Sequence, residues 1–235
     1  MKAWEVLGDS TAPDGTDIQL RRRDNEYLIL AHGKPLMSSR LHGSEEALAT
    51  LGCNRARTLE QPRVLVGGLG MGFTLRAVLD VLPFDAIVTV AELVPAVIEW
   101  NRGSLATLAG HPLRDRRVRI QAMDVGFTLR ANPGRFDVVL LDTDNGPAAF
   151  TAADNARLYD NSGVAAAFAA LRPGGTLAVW SAWDDRKFEQ RLRFHGFLVE
   201  VARVRARLHK GGPRHTIFVA RKSPAVCSSE PFSLP

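Results

Sequence analysis

Cysteine is nearly absent from this chain: Cys53 and Cys227 are the only two. Far apart in sequence, they supply neither a disulfide framework nor a metal-ligand spacing. The six histidines show no ligand spacing either, so no metal is expected. No apolar run approaches the roughly 20 residues that a membrane helix needs, so no membrane span is expected. The start, Met-Lys-Ala-Trp-Glu, carries an acid where a signal peptide would carry its apolar stretch, and a cytoplasmic protein is the expectation. No Gly-Lys-Ser/Thr follows the glycine cluster at 67–72, which excludes a phosphate-binding P-loop.

Hydrophobic residues make up 46% of the chain and charged residues 23%, a balance that suits one sizeable α/β domain with a small appendage. The net charge of +5 raises the question of nucleic acid. The arginines are scattered in small groups, however, at 21–23, 114–119 and 203–207. A solvated basic surface is the expected reading, and nucleic acid is not the expected partner. On a strand near Val199 to Arg207, the residues Arg203, Arg205 and Arg207 share one face, where they would protect a solvent-facing edge.

Residues 1–58 read as a small antiparallel β domain. Trp4 to Leu7, Asp17 to Arg22 and Glu26 to Ala31 are short β-type runs, separated by Pro13-Asp14-Gly15, Asp24-Asn25 and His32-Gly33-Lys34-Pro35. Ser44 to Leu51 reads as a helix with Ser44 as N-cap and Glu45 and Glu46 in its first turn. Residues 59–222 then alternate strand and helix. Strands are expected at Val64 to Val66, Ala86 to Ala91, Val118 to Ala122, Phe136 to Leu141 and Thr176 to Trp180. Helices are expected at Thr74 to Leu82, Pro95 to Leu108, Tyr159 to Leu171 (stopped by Arg172-Pro173-Gly174-Gly175) and Asp184 to Phe194. Two last strands, Leu198 to Arg207 and Thr216 to Arg221, have no helix between them and should pair antiparallel. The fold class is α/β: a doubly wound, mainly parallel, seven-stranded Rossmann-like sheet with a small N-terminal antiparallel β element. Residues 223–235 are Ser/Pro-rich and expected to be a disordered tail.

In such sheets ligands bind beyond the carboxyl ends of the strands, where the strand order reverses. Gly67-Gly68-Leu69-Gly70-Met71-Gly72 follows the first strand, Glu92 the second, Asp124 the third and Asp142-Thr143-Asp144-Asn145-Gly146-Pro147 the fourth. Glycines let backbone approach a ligand, and an acid after the second strand can accept from ribose hydroxyls. Each feature also has a plain reading, as a packing turn or a helix cap; their convergence favours a nucleoside site. Gly68, Gly70 and Gly72 follow Gly-x-Gly-x-Gly, with Phe73 where a dinucleotide fingerprint wants its last glycine.

With Phe136-Asp137-Val138-Val139-Leu140-Leu141-Asp142 added, these segments resemble the class I S-adenosylmethionine-dependent methyltransferase fold. Within it the chain is most similar to spermidine synthase and its relatives, through the N-terminal β element, Leu75-Arg76, the acidic Gly-Pro loop and Leu158-Tyr159. The resemblance implies a homodimer and a nucleoside donor, S-adenosylmethionine or its decarboxylated form. It implies that Gly68, Gly70 and Gly72 line the donor's tail, that Glu92 holds the ribose and Asp124 the adenine, and that Asp142, with Asp144 as companion, acts on the acceptor. His42, Ser44, Glu45 and Glu46 fall where the family covers its acceptor site; a plain helix start is the competing reading. Asp142 as base and Asp142 as loop cap both stay open. Trp180 and Trp183 are read either as an aromatic wall or as core.

The family's glycine loop carries an acid at the position of Met71, and here none repels the carboxylate of intact S-adenosylmethionine. The expectation is therefore methyl transfer from the intact donor to a small-molecule acceptor. The alternatives are aminopropyl transfer from the decarboxylated donor, nucleic-acid methylation, and a non-catalytic nucleoside-binding protein.

Overall fold

The computed structural model describes residues 2–143, 157–207 and 211–224. Strands β1 (Glu5–Thr11), β2 (Asp17–Arg23), β3 (Glu26–Ala31) and β4 (Lys34–Ser38) form an antiparallel meander. The sequence reading missed β4. His32 and Gly33 both have positive φ, 47° and 73°, the twist that a two-residue hairpin turn requires. The turn therefore closes in two residues, and Lys34 and Pro35 already belong to the edge strand.

The meander shares a core with the rest of the chain: Ile18, Leu20 and Ile29 join one apolar cluster with Val64, Leu75, Ile98 and Trp100. β1 passes close to the indole of Trp100, since a Cβ on Gly8 would lie 2.5 Å from its Nε1. The β1–β2 register shifts between Val6 and Gly8 at this contact.

The α/β unit contains α1 (Gly43–Gly52), β5 (Arg63–Gly67), α2 (Phe73–Val81), β6 (Ile87–Glu92), α3 (Pro95–Arg102), β7 (Val118–Ala122), α4 (Val125–Ala131) and β8 (Phe136–Leu141). It continues with α5 (Asn161–Ala170), β9 (Leu171–Ser181), α6 (Arg186–Phe194), β10 (Phe197–Arg205) and β11 (Arg214–Lys222). The seven strands lie in the order β10-β11-β9-β8-β5-β6-β7. β11 runs antiparallel to both its neighbours, and the remaining pairs are parallel. This is the doubly wound sheet expected. Val64 and Val66 of β5 face a cluster shared with α1, α2 and α3, while Leu65 faces the one shared with α4, α5 and α6. Strands covered on both faces read as continuous apolar runs for this reason.

The structure departs from the sequence reading at several places. α3 stops at Arg102 instead of Leu108, because Gly103 adopts φ −110° and ψ −105°, outside the helical region. α4 was not anticipated. α5 ends at Ala170, and the Arg172-Pro173-Gly174-Gly175 segment lies within β9. There the β8–β9 register jumps from Phe136↔Leu171 to Val138↔Thr176, so the sheet accommodates the extra residues as an irregularity. β10 changes its buried face along its length. Phe197 and Val199 pack on the α6 side, and Ala202 and Val204 on the α1 side. Arg203 and Arg205 are left exposed on the sheet's edge strand, with Arg203 paired to Asp184 at 2.6 Å. Among the described residues no helix is long and apolar enough to cross a membrane.

Candidate functional site

The strand order reverses at β5, which has β6 on one side and β8 on the other. A cavity of about 600 Å³ opens there, beyond the carboxyl ends of these strands, within the usual size range of small-molecule sites. The register sets its floor: Gly67 pairs with both Ala91 and Leu141, so Gly68, Glu92 and Asp142 emerge side by side. Gly68 has φ 89°, and a Cβ there would lie 2.3 Å from the Asp142 carbonyl oxygen. Only glycine lets the two backbones approach this closely.

The loop is fastened from below. Glu92 is buried, and its Oε2 accepts from the Leu69 N–H while its Oε1 accepts from the Val94 N–H, both at 2.8 Å. The Asn101 amide donates to the Gly70 carbonyl at 2.8 Å. Gly68, Gly70, Glu92 and Asp124 all line the cavity. Asp124 is also the N-cap of α4, accepting from the Phe127 N–H at 2.7 Å, so the helix-cap reading describes one of its oxygens.

Two loop residues are not where the sequence reading put them. Gly72 caps α2, and a Cβ there would meet Asn101 and Pro112; it is not among the residues lining the cavity. Met71 is 1% exposed and belongs to the apolar core with Leu75 and Leu105. Its side chain does not face the cavity. Asp144 lies outside the described residues, as do Asn145 to Pro147.

Beside the glycine loop stands a cluster of polar groups from α1, the residue after β8, and β11. Glu45 is 6% exposed and Ser44 fully buried. Ser44 is not the N-cap of α1: that position is His42, with no side-chain cap bond. The Ser44 hydroxyl instead lies 2.7 Å from Glu45 Oε2 and 2.9 Å from His215 Nδ1. Asp142 Oδ2 accepts from the Thr74 hydroxyl at 2.5 Å. Glu45, Asp142 and His215 all line the cavity. Burial, and then the charge of Asp142, hold the Glu45 carboxyl above the usual carboxylate range. Burial also raises Asp142, against the Thr74 bond. The two acids titrate as a pair. Burial depresses the His215 imidazole, favouring its neutral form.

His42 and Glu46 pair with each other at 2.7 Å, and His42 stacks on Phe73 at 4.2 Å. Trp180 lines the cavity and meets the His215 ring edge-on at 4.6 Å. Trp183 is half exposed and is not among the lining residues. Sequence reasoning missed His215 and Thr74. His215 falls in phase with Ile217 and Val219, on the face of β11 that packs with the α1 cluster.

The acid pair makes stability depend on pH with a defined sign. A carboxyl whose folded pKa is raised stabilises the fold below its unfolded pKa and loses that contribution as pH rises through the folded value. Glu45→Gln removes the titration. The variant should gain thermal stability relative to the parent between about pH 5 and about pH 9, by a few degrees in Tm. A difference in Tm that stays constant over this range would exclude a raised Glu45.

No protein-family model matches the sequence, and no curated protein matches it. Solved structures do. A spermidine synthase in complex with the transition-state analogue AdoDATO superimposes with a TM-score of 0.71 at 19% identity, over 93% of this chain and 72% of that one. The spermidine synthase from Thermotoga maritima gives 0.72 at 20% identity, over 93% and 73%. A probable spermidine synthase from Corynebacterium glutamicum gives 0.65 at 18% identity, over 93% and 80%. The chain has the spermidine synthase-like fold, with the N-terminal meander and the Rossmann-like sheet together.

Proposed function

We propose that this protein transfers an aminopropyl group from decarboxylated S-adenosylmethionine to an amine. The observation that carries the proposal is the Glu45–Asp142 pair, two carboxyls facing one cavity beside a glycine loop and Glu92. An amine enters as an ammonium ion, and burying that charge demands carboxylates. The fold shared with spermidine synthases, one of them in complex with AdoDATO, supports the same reading. The argument for methyl transfer rested on a neutral Met71 beside the donor's tail, and Met71 is packed in the core.

On this reading the backbone at Gly68 and Gly70 accommodates the donor. Glu92 accepts from the ribose hydroxyls, and Asp124 stands near the base. The donor supplies an electrophilic carbon next to its sulfonium. Asp142 and Glu45 hold the acceptor nitrogen in line and take its proton, and their raised proton affinity brings the base closer to working pH. The N–C bond forms, the C–S bond breaks, and the electron pair stays on sulfur as a neutral thioether.

The test is incubation of the purified protein with each donor and a panel of mono- and diamines, with both nucleoside products quantified. Methylthioadenosine formed from the decarboxylated donor is the expected result. S-adenosylhomocysteine formed from the intact donor would restore methyl transfer and overturn the proposal.

A further inference from the structure

The Ser44 hydroxyl joins two groups that the proposed transfer leaves unconnected. It bridges the Glu45 carboxyl and the His215 ring at 2.7 Å and 2.9 Å, across 171 residues of sequence in the second case. A hydroxyl has one proton to donate. When Glu45 is ionised, Ser44 donates to it, and His215 must then present Nδ1–H to the Ser44 oxygen. When Glu45 is protonated the chain runs the other way: Glu45 donates to Ser44, Ser44 donates to a bare Nδ1, and the ring proton sits on Nε2. The same three side chains therefore support two proton arrangements without moving a heavy atom.

We infer that Glu45, Ser44 and His215 form a relay that carries the acceptor's proton out of the site. The inference rests on the proposed transfer to an amine. The ammonium N–H bond breaks and its proton goes to the Glu45 carboxylate. Glu45 passes a proton to the Ser44 oxygen as the Ser44 proton moves to His215 Nδ1. The ring is then an imidazolium, which loses its Nε2 proton to water and returns to neutral. Glu45 is left ionised, with Ser44 donating to it. Once the next acceptor's proton has reached Glu45, exchange through water moves the ring proton from Nδ1 to Nε2 and leaves Nδ1 bare to receive the next transfer.

The surroundings suit this role. Nε2 makes no bond among the described residues, and the ring is half buried in the cavity wall. Among the described residues the cavity is lined by the titratable groups Glu45 on α1 and Asp142 after β8, and also by Asp14, Glu92, Asp124, Arg130 and Arg157; Trp180 of β9 meets the His215 ring and Val204 of β10 pairs with it in register. Burial disfavours the imidazolium, so a proton that reaches the ring is readily passed on to water. Ser44 and His215 act through Glu45 and are positioning residues in this scheme.

Two measurements test it. The first needs no turnover: ring-nitrogen NMR of His215 in the unliganded protein across pH. Glu45→Gln should shift the His215 midpoint, and the same change in a Ser44→Ala background should shift it by clearly less, a non-additivity expected of groups in one network. Equal shifts in both backgrounds, or none in either, would overturn the relay. The second compares kcat and donor affinity of Ser44→Ala and His215→Gln with the parent enzyme. Turnover should fall by about tenfold to a hundredfold with donor binding unchanged. The acid limb of the pH–rate profile should move to higher pH, where Glu45 discharges to solvent unaided. Normal turnover in both variants would also overturn the relay. Coupled titration in a protein that makes no methylthioadenosine from any amine would instead overturn the transfer reading.

Discussion

Asp142→Asn is expected to lower aminopropyl transfer by about 10²-fold or more while leaving nucleoside affinity nearly unchanged. The substitution removes charge and basicity and little else. Asparagine keeps an oxygen for the Thr74 hydroxyl, and the backbone bond from the residue 142 N–H to the Gly67 carbonyl, 2.9 Å, is unaffected. The close approach of Gly68 to the residue 142 carbonyl also involves backbone alone, so the donor's half of the cavity keeps its shape. On the proposed reading, what disappears is one of the two carboxyls that hold and deprotonate the acceptor. Part of what raises Glu45 is the charge of Asp142. In the variant Glu45 should therefore titrate closer to the ordinary carboxylate range and be a weaker base. The two acids act as a unit, so Glu45→Gln added to Asp142→Asn should cost much less than the product of the single losses. Steady-state kinetics and calorimetry with methylthioadenosine separate the terms. Equal loss of nucleoside binding and turnover would place Asp142 in the donor site or in the fold, and the acceptor role would fall.

What was legible in the sequence was local. The strand–turn–helix rhythm, the Gly-x-Gly-x-Gly turn and the acids after β6, β7 and β8 are each written within a few residues, and the parallel register brings them together. Side-chain direction inside the glycine loop was not legible. Gly70 and Gly72 both have positive φ, 50° and 84°, and the loop they form turns Met71 down into the core, where the family resemblance had aimed it at the donor. Ser44 misled for a different reason. Ser before two glutamates is a good N-cap signal, but packing of α1 beneath β11 gives its hydroxyl a tertiary partner, His215, and the cap position falls to His42. The polar corner of the cavity is built from α1, the end of β8 and β11, segments that no local pattern joins. Arg172-Pro173-Gly174-Gly175 shows the limit from the other side. Its turn chemistry is real, with Gly174 at φ 78°, yet the flanking residues pair with β8 and the turn becomes an irregularity within β9.

Glu92→Gln should weaken nucleoside binding by about tenfold to a hundredfold. Each oxygen of Glu92 accepts from a different backbone N–H, that of Leu69 in the glycine loop and that of Val94 at the start of α3. Glutamine has one carbonyl oxygen, so its amide N–H₂ must face one of these donors. A buried donor left without a partner costs about 1–3 kcal/mol, and each 1.4 kcal/mol is about tenfold in affinity. Bonds from ribose hydroxyls to a carboxylate are charge-assisted and lose strength as well. These two contributions make different demands on the ligand. If Glu92 only fastens the loop, the variant should lose as much affinity for a 2′-deoxy nucleoside as for the nucleoside with both hydroxyls. If it also holds the ribose, the parent should discriminate between the two nucleosides and the variant should not. Calorimetry of both proteins with methylthioadenosine and its 2′-deoxy analogue closes the cycle, and thermal unfolding of the unliganded proteins reports the cost to the loop alone. Unchanged affinity for methylthioadenosine in Glu92→Gln would remove Glu92 from the site. Discrimination that persists in the variant would assign the ribose to another group and leave Glu92 with the loop.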